Sequence, residues 1–137
     1  TNDGMGPYIA NEVIRLMVRK GINPVHAKVL ILGLAFKENC PDLRNTRVVD
    51  IVQALRGYNA QVDVHDPWVN AAEAEHEYGL VPLAEPPVGA YDAVIVAVGH
   101  RQFVALGADG VHAYGKPASV VYDVKYVLPR EAVDGRL

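Results

Sequence analysis

Two rhythms of apolar residues alternate along this chain. Ile9, Val13, Leu16 and Met17 recur at helical spacing and predict a helix from about Pro7 to Lys20. Pro7 suits its first turn, and Lys20-Gly21 supplies a basic end and a stop. Lys28 to Gly33 then runs KVLILG, too continuous for a strand with one wet face, which predicts a central parallel strand. After a polar stretch from Lys37 to Thr46, the stripe Val48, Ile51, Val52 and Leu55 predicts a second helix, with Asn45 or Thr46 as N-cap and Gly57 as its end. Gln61 to His65 alternates as a second strand closed by Asp66-Pro67. Ala71 to Tyr78 reads as a helix, Leu80 to Leu83 as a short strand, and Pro86-Pro87 with Gly89 as a loop. Ala93 to Val98 is another buried strand. A weaker helix over Gln102 to Leu106, a turn at Gly115 to Pro117 and a last strand over Ser119 to Val124 complete the chain.

Strands alternating with helices imply right-handed crossovers, hence an α/β fold: a Rossmann-like parallel sheet with helices on both faces. In such sheets ligands sit outside the carboxyl ends of the strands, at the point where strand order reverses. That rule singles out Gly33 onward, Asp66, Gly99-His100 and the stretch from Asp123 to Tyr126.

Composition narrows the class. The 137 residues, half of them hydrophobic and 21% charged, describe one ordinary globular domain, which excludes disorder and collagen-like repeats. Thirteen basic against sixteen acidic side chains argue against a nucleic-acid partner or an anionic membrane surface. No apolar run reaches the roughly 18–20 residues of a membrane span, and no signal peptide opens the chain, so the expectation is a soluble cytoplasmic domain. One cysteine, Cys40, excludes an internal disulfide. The five histidines show no HxH or HExxH spacing, so no metal site is expected.

The first strand-to-helix turn, Gly33-Leu34-Ala35-Phe36-Lys37-Glu38-Asn39, lacks the second and third glycines of a dinucleotide loop. Asp66 stands where a ribose-binding acid would stand, but Pro67 and Trp68 favour a structural turn. The segment from Phe36 to Arg47 is the richest in chemistry, and two readings of it stand level. Phe36 can cover a base or sugar while Lys37 meets a phosphate, or the segment is a solvated polar loop. Arg44 and Arg47 lie near a helix start, where the helix dipole disfavours cations and so favours an anion beside them. Cys40 has no histidine near it in sequence and reads as a free, non-catalytic thiol. His100 follows the most buried strand and is a candidate for lining a site. Lys125 holds the equivalent place after the last strand.

Lys28 to Val49, KVLILGLAFKENCPDLRNTRVV, with its G-x-x-F-K-x-x-x-x-D-x-R pattern, resembles the start of the C-terminal, UDP-sugar-binding domain of the UDP-glucose/GDP-mannose dehydrogenase family. His65-Asp66-Pro67 resembles the family's (Y/H)DP turn, and Asp123-Val124-Lys125 its D-x-(R/K) element. Glu38-Asn39-Cys40-Pro41-Asp42 is most similar to the bacterial branch acting on UDP-N-acetylhexosamines for surface polysaccharides. Thr1 to Met5 resembles the entry to the family's long central helix, so residues 1–22 would be the end of that linker and homodimerisation helix, and 23–137 the UDP-sugar-binding unit.

The resemblance implies an NAD-dependent oxidation of a UDP-sugar C6 alcohol to a carboxylate in two hydride transfers. It implies that Phe36, Lys37 and Lys125 contact the UDP-sugar, with lysine in place of a more usual arginine at the last position. Arg44 would reach NAD, held mainly by an N-terminal domain, while Arg47 and His100 remain candidates for lining the site. No catalytic residue is expected here, because the family's cysteine sits in an upstream G-G-S-C-type motif and Cys40 is not that residue. The chain is therefore expected to be inactive alone. The alternatives are a stand-alone nucleotide-binding or regulatory module, and a dimerisation domain with no ligand, for which UDP would give no thermal shift.

Overall fold

A computed structural model describes residues 4–137. The reading of Thr1 to Asp3 as helix entry lies outside the described residues. Five strands form one sheet: β1 (Lys28–Leu32), β2 (Gln61–His65), β3 (Tyr91–Val96), β4 (Gly115–Asp123) and β5 (Gly135–Arg136). Their order is β2-β1-β3-β4-β5 and every pairing is parallel. Among the described residues the helices are α1 (Met5–Arg19), α2 (Val48–Gly57), α3 (Ala71–Tyr78) and α4 (Arg101–His112), with a 3-10 turn at Arg130–Ala132. The chain is thus a parallel α/β sheet of Rossmann-like form behind a long N-terminal helix.

The continuous apolar strands are explained by two cores. Alternate residues of β1, Val29 and Ile31, join Ala93, Ile95, Val120 and Tyr122 beneath α1 and α2. Their neighbours Leu30 and Leu32 join Val94, Val96 and Val121 on the opposite face, where α4 contributes Phe103 and Val111. Helix α1 buries Ile9, Ala10, Val13, Ile14 and Met17 against the sheet, so it belongs to the same core as the strands. It also crosses α2 closely: a Cβ on Gly6 would lie 2.5 Å from Asp50 Cβ. Among the described residues no helix is long and apolar enough to cross a membrane.

Five expectations need correction. The N-cap of α2 is Arg47; Thr46 lies one residue outside, and its Oγ1 accepts from Val48 N–H at 3.2 Å. The segment from Leu80 to Leu83 is not a strand, because Pro82 has no N–H for a ladder; one backbone bond, Leu83 N–H to Val64 O at 2.8 Å, ties it to β2. Helix α4 continues past Leu106 to His112 across a break at Gly107, whose φ of 67° ends one helical piece and admits the next. Strand β4 starts at Gly115 instead of Ser119. Gly115 pairs with Tyr91 and Val120 with Ala93, so residues 116–119 form a bulge that absorbs Pro117. Strand β3 likewise spans Tyr91–Val96, and β5 with the preceding 3-10 turn has no counterpart in the sequence reading.

Candidate functional site

The strand order reverses between β1 and β3, since β1 runs on to β2 on one side and β3 to β4 on the other. The chain leaves both strands together there. Gly33 has φ of 108°, and a Cβ on it would sit 2.6–2.8 Å from Val98, so the two exits touch through the missing side chain. No helix N-terminus follows this turn closely enough to receive a pyrophosphate, since α2 begins only at Val48. The turn therefore does not fit a dinucleotide of its own.

Beyond Gly33 the chain is fastened from below. Asp66 is buried at the end of β2, and its Oδ2 accepts Leu34 N–H at 2.7 Å and Ala35 N–H at 2.9 Å. Its Oδ1 accepts Trp68 N–H at 2.8 Å, and His100 Nε2 lies 2.9 Å from Oδ2. Burial pushes the Asp66 carboxyl up, but the hydrogen bonds from His100, Leu34, Ala35 and Trp68 outweigh it and hold the group below its ordinary value. Asp66 is thus the structural turn residue favoured from sequence. Thr46 donates to Leu34 O at 2.7 Å, and Phe36 N–H reaches Asp42 O at 2.8 Å. Phe36 and Lys37 emerge from this frame with exposed side chains.

The exit from β4 repeats the device. Asp123 is fully buried; its Oδ1 accepts Lys125 N–H at 3.1 Å and its Oδ2 accepts Leu128 N–H at 2.8 Å. Lys125 projects from this turn with an exposed side chain.

Between the exits of β1, β3 and β4 and the first turns of α1 and α2 lies a cavity of about 390 Å³. Phe36, Arg47, Val98 and Lys125 line it, with Met5 and Leu137 at its margin. Its described lining has two cationic side chains, an aromatic and an apolar floor, and no Asp or Glu. Its size lies within the range for small-molecule pockets, and Lys125 presents an ammonium group to it. A larger depression of about 730 Å³ lies at the other end of the sheet, beside the start of β4. Both of its lysines are paired within the fold: Lys20 with Asp134 at 2.7 Å and Lys116 with Asp92 at 3.2 Å.

Three sequence candidates, Phe36, Arg47 and Lys125, therefore meet in one cavity. Lys37 is next to Phe36 on the same loop but is not part of that lining. Arg44 points elsewhere, into a separate hollow with Glu73, Glu77 and Tyr78. It grips Asp42 through two hydrogen bonds of 3.0 Å, and its hydrogen bond holds the Asp42 carboxyl below its usual range. His100 is placed beneath the loop, not on the cavity wall, because it is wholly buried between Asp66 and Asn39. Cys40 is a free, partly buried thiol. Among the described residues no three His, Cys, Asp or Glu side chains are grouped so as to hold a metal ion.

Asn39 and Thr46 escaped the sequence reading as functional supports. Each acts through a bond to a distant segment, and the only local hint for Thr46 is its place before a helix.

Residues 30–130 match the model of the UDP-glucose/GDP-mannose dehydrogenase family, UDP binding domain. The chain is 52% identical over 136 residues to the UDP-N-acetyl-D-glucosamine 6-dehydrogenases of Salmonella typhi and of Pseudomonas aeruginosa, covering 99% of this chain and 32% of each relative. It therefore spans about a third of the length of these relatives. Among solved structures it is similar to an NDP-N-acetyl-D-galactosaminuronic acid dehydrogenase from Methanosarcina mazei Go1, with a TM-score of 0.80 and 27% identity, over 96% of this chain and 27% of that one.

Proposed function

Given that the chain belongs to the UDP-glucose/GDP-mannose dehydrogenase family, as its UDP binding domain, we propose that it forms the nucleotide-sugar-binding part of an NAD-dependent UDP-N-acetylhexosamine or UDP-hexose 6-dehydrogenase. The whole enzyme oxidises the sugar C6 alcohol to the carboxylate in two hydride transfers and serves bacterial surface polysaccharide synthesis. NAD accepts the hydrides and is held mainly by residues outside this chain, with Arg44 as the contact offered here. The likeness to two UDP-N-acetyl-D-glucosamine 6-dehydrogenases supports the N-acetylhexosamine class. Exposed Tyr8 and Val18 on α1 support a homodimer built through that helix.

The observation that carries this reading is the cavity at the strand-order reversal, where Phe36, Arg47 and Lys125 converge. Phe36 covers a flat or apolar part of the ligand, and Lys125 meets the diphosphate. Lys37, on the same loop, reaches phosphate or sugar hydroxyls from the rim. Calorimetry of the chain against UDP and a panel of UDP-sugars tests this directly: binding is expected, and no heat with any of them would defeat the proposal.

Lys37→Ala and Lys125→Ala are each expected to weaken UDP-sugar binding by roughly 10- to 100-fold, the size of a lost charge-assisted contact. Both side chains are exposed, so the unfolding free energy of each variant from urea titration should stay within about 0.5 kcal/mol of the parent. Equal affinities for parent and variants would remove these lysines from the site.

A further inference from the structure

We propose that His100 is a positioning residue for the loop that presents Phe36 and Lys37, acting through the backbone of Asn39; the inference rests on the nucleotide-binding reading above. The geometry begins with the ring itself. His100 is wholly buried at the start of α4, stacked beside Trp68 at 5.9 Å and tilted against Phe103 at 5.5 Å. Its Nδ1 lies 2.9 Å from the backbone nitrogen of Asn39, and its Nε2 lies 2.9 Å from Asp66 Oδ2. Asn39 N–H can only donate, so Nδ1 must be a bare acceptor. The proton of the neutral ring then sits on Nε2 and is donated to Asp66. Both neighbours thus specify one tautomer.

The consequence lies in what this ring joins. Leu34 and Ala35 are held by Asp66, and Asn39 is held by His100, which is itself held by Asp66. The loop therefore stands on two feet bound to one buried pair. Phe36 and Lys37 lie between those feet with exposed side chains. Asn39 adopts the left-handed backbone conformation, φ of 54°, and its Oδ1 accepts Arg101 N–H at 2.8 Å, so the far foot is fixed at both backbone and side chain. An arch with one foot loosened samples more conformations, and ligand binding must then pay to order it again.

Two substitutions divide the ring's functions. His100→Asn places an amide oxygen where Nδ1 stood and keeps an acceptor for Asn39. His100→Gln carries its amide out to the Nε2 position, keeps a donor for Asp66, and offers Asn39 nothing. A purely structural histidine would make affinity follow the stability of each variant. Positioning predicts instead that UDP affinity, measured by calorimetry on the chain, falls about tenfold or more for His100→Gln. For His100→Asn it should stay within about threefold, even if that variant has the lower melting temperature. Amide relaxation should show residues 36–39 loosened in the Gln variant only.

Equal affinities for the two variants, or losses that track their melting temperatures, would overturn the proposal. If the parent chain fails to bind UDP, the nucleotide-binding reading fails, and positioning is then judged on loop order alone. Loosening in Gln but not Asn upholds it, and any other pattern overturns it. Should either variant not fold, the parent decides: a scalar coupling across the hydrogen bond from Asn39 nitrogen to His100 Nδ1, on a ring protonated at Nε2, supports it. A ring protonated at Nδ1 overturns it.

Discussion

Asp66→Ala should destabilise the chain by about 3–5 kcal/mol, read as a shift of the urea unfolding midpoint at neutral pH. The magnitude follows from what the carboxylate satisfies. Its loss leaves the buried N–H groups of Leu34 and Ala35, the buried His100 ring and the part-buried N–H of Trp68 without their acceptor. The same residue fixes the sign of an acid effect. Its folded-state pKa lies below the unfolded value because the hydrogen bonds outweigh burial. Its stabilising contribution is therefore complete above the unfolded value, near pH 4, and is lost as pH falls through the lower folded value. The parent chain should lose stability along that limb, and Asp66→Ala should show a flatter one. An unchanged midpoint and an unchanged acid limb would show that Asp66 is not the fastening point.

Gly33→Ala is the second large effect, at about 3 kcal/mol of lost stability from strain and overpacking together. A backbone φ of 108° lies outside what an alanine adopts comfortably, and the new Cβ would meet Val98 N at 2.8 Å. Backbone cannot swing aside as a side-chain tip can, so β1 and β3 would have to separate at their exits, where the cavity is built. Gly89→Ala supplies the comparison. It also has positive φ, 69°, but a Cβ there meets nothing within 4 Å, so its penalty should be only about 1 kcal/mol. Thermal melts of the two variants settle the matter; equal losses would mean that the close approach to Val98 contributes nothing.

The legible parts of this fold were those in which one segment decides its own state. Strands β1 and β2 lie where the apolar pattern puts them, because burial on both faces or one leaves a local trace, and α3 lies where an Ala- and Glu-rich run favours a helix. Leu80 and Val81 misled because apolar character was read as strand character: Leu80 is buried, while Val81 is 58% exposed and Pro82 cannot extend a ladder. The opening of β4 misled in the opposite direction, since a Gly-Lys-Pro sequence that looks like a turn can pair when a bulge removes the demand on proline. At the site, the strand-exit rule drew attention to Phe36 and Lys125 and the helix start to Arg47, and all three border one cavity. It drew attention to His100 too, but proximity to a strand end does not say whether a side chain faces out or in. That depended on Asn39 and Asp66, each distant in sequence and linked by bonds that leave no periodic trace.

The all-parallel sheet has a consequence for how the chain reaches its native state. None of its pairings is made by a hairpin: Lys28 must meet Gln61, Val29 must meet Ala93, and Ala93 must meet Val120. Each ladder closes a long loop before its first bond is rewarded, so the search is dominated by non-local encounters and is slow for a chain of this size. The central pair is the most distant in sequence, since the whole β2 and α3 region lies between β1 and β3. Until that pair closes, the strand exits that frame Phe36 and Lys125 have no common edge. The cavity edge therefore depends on the meeting of β1 and β3.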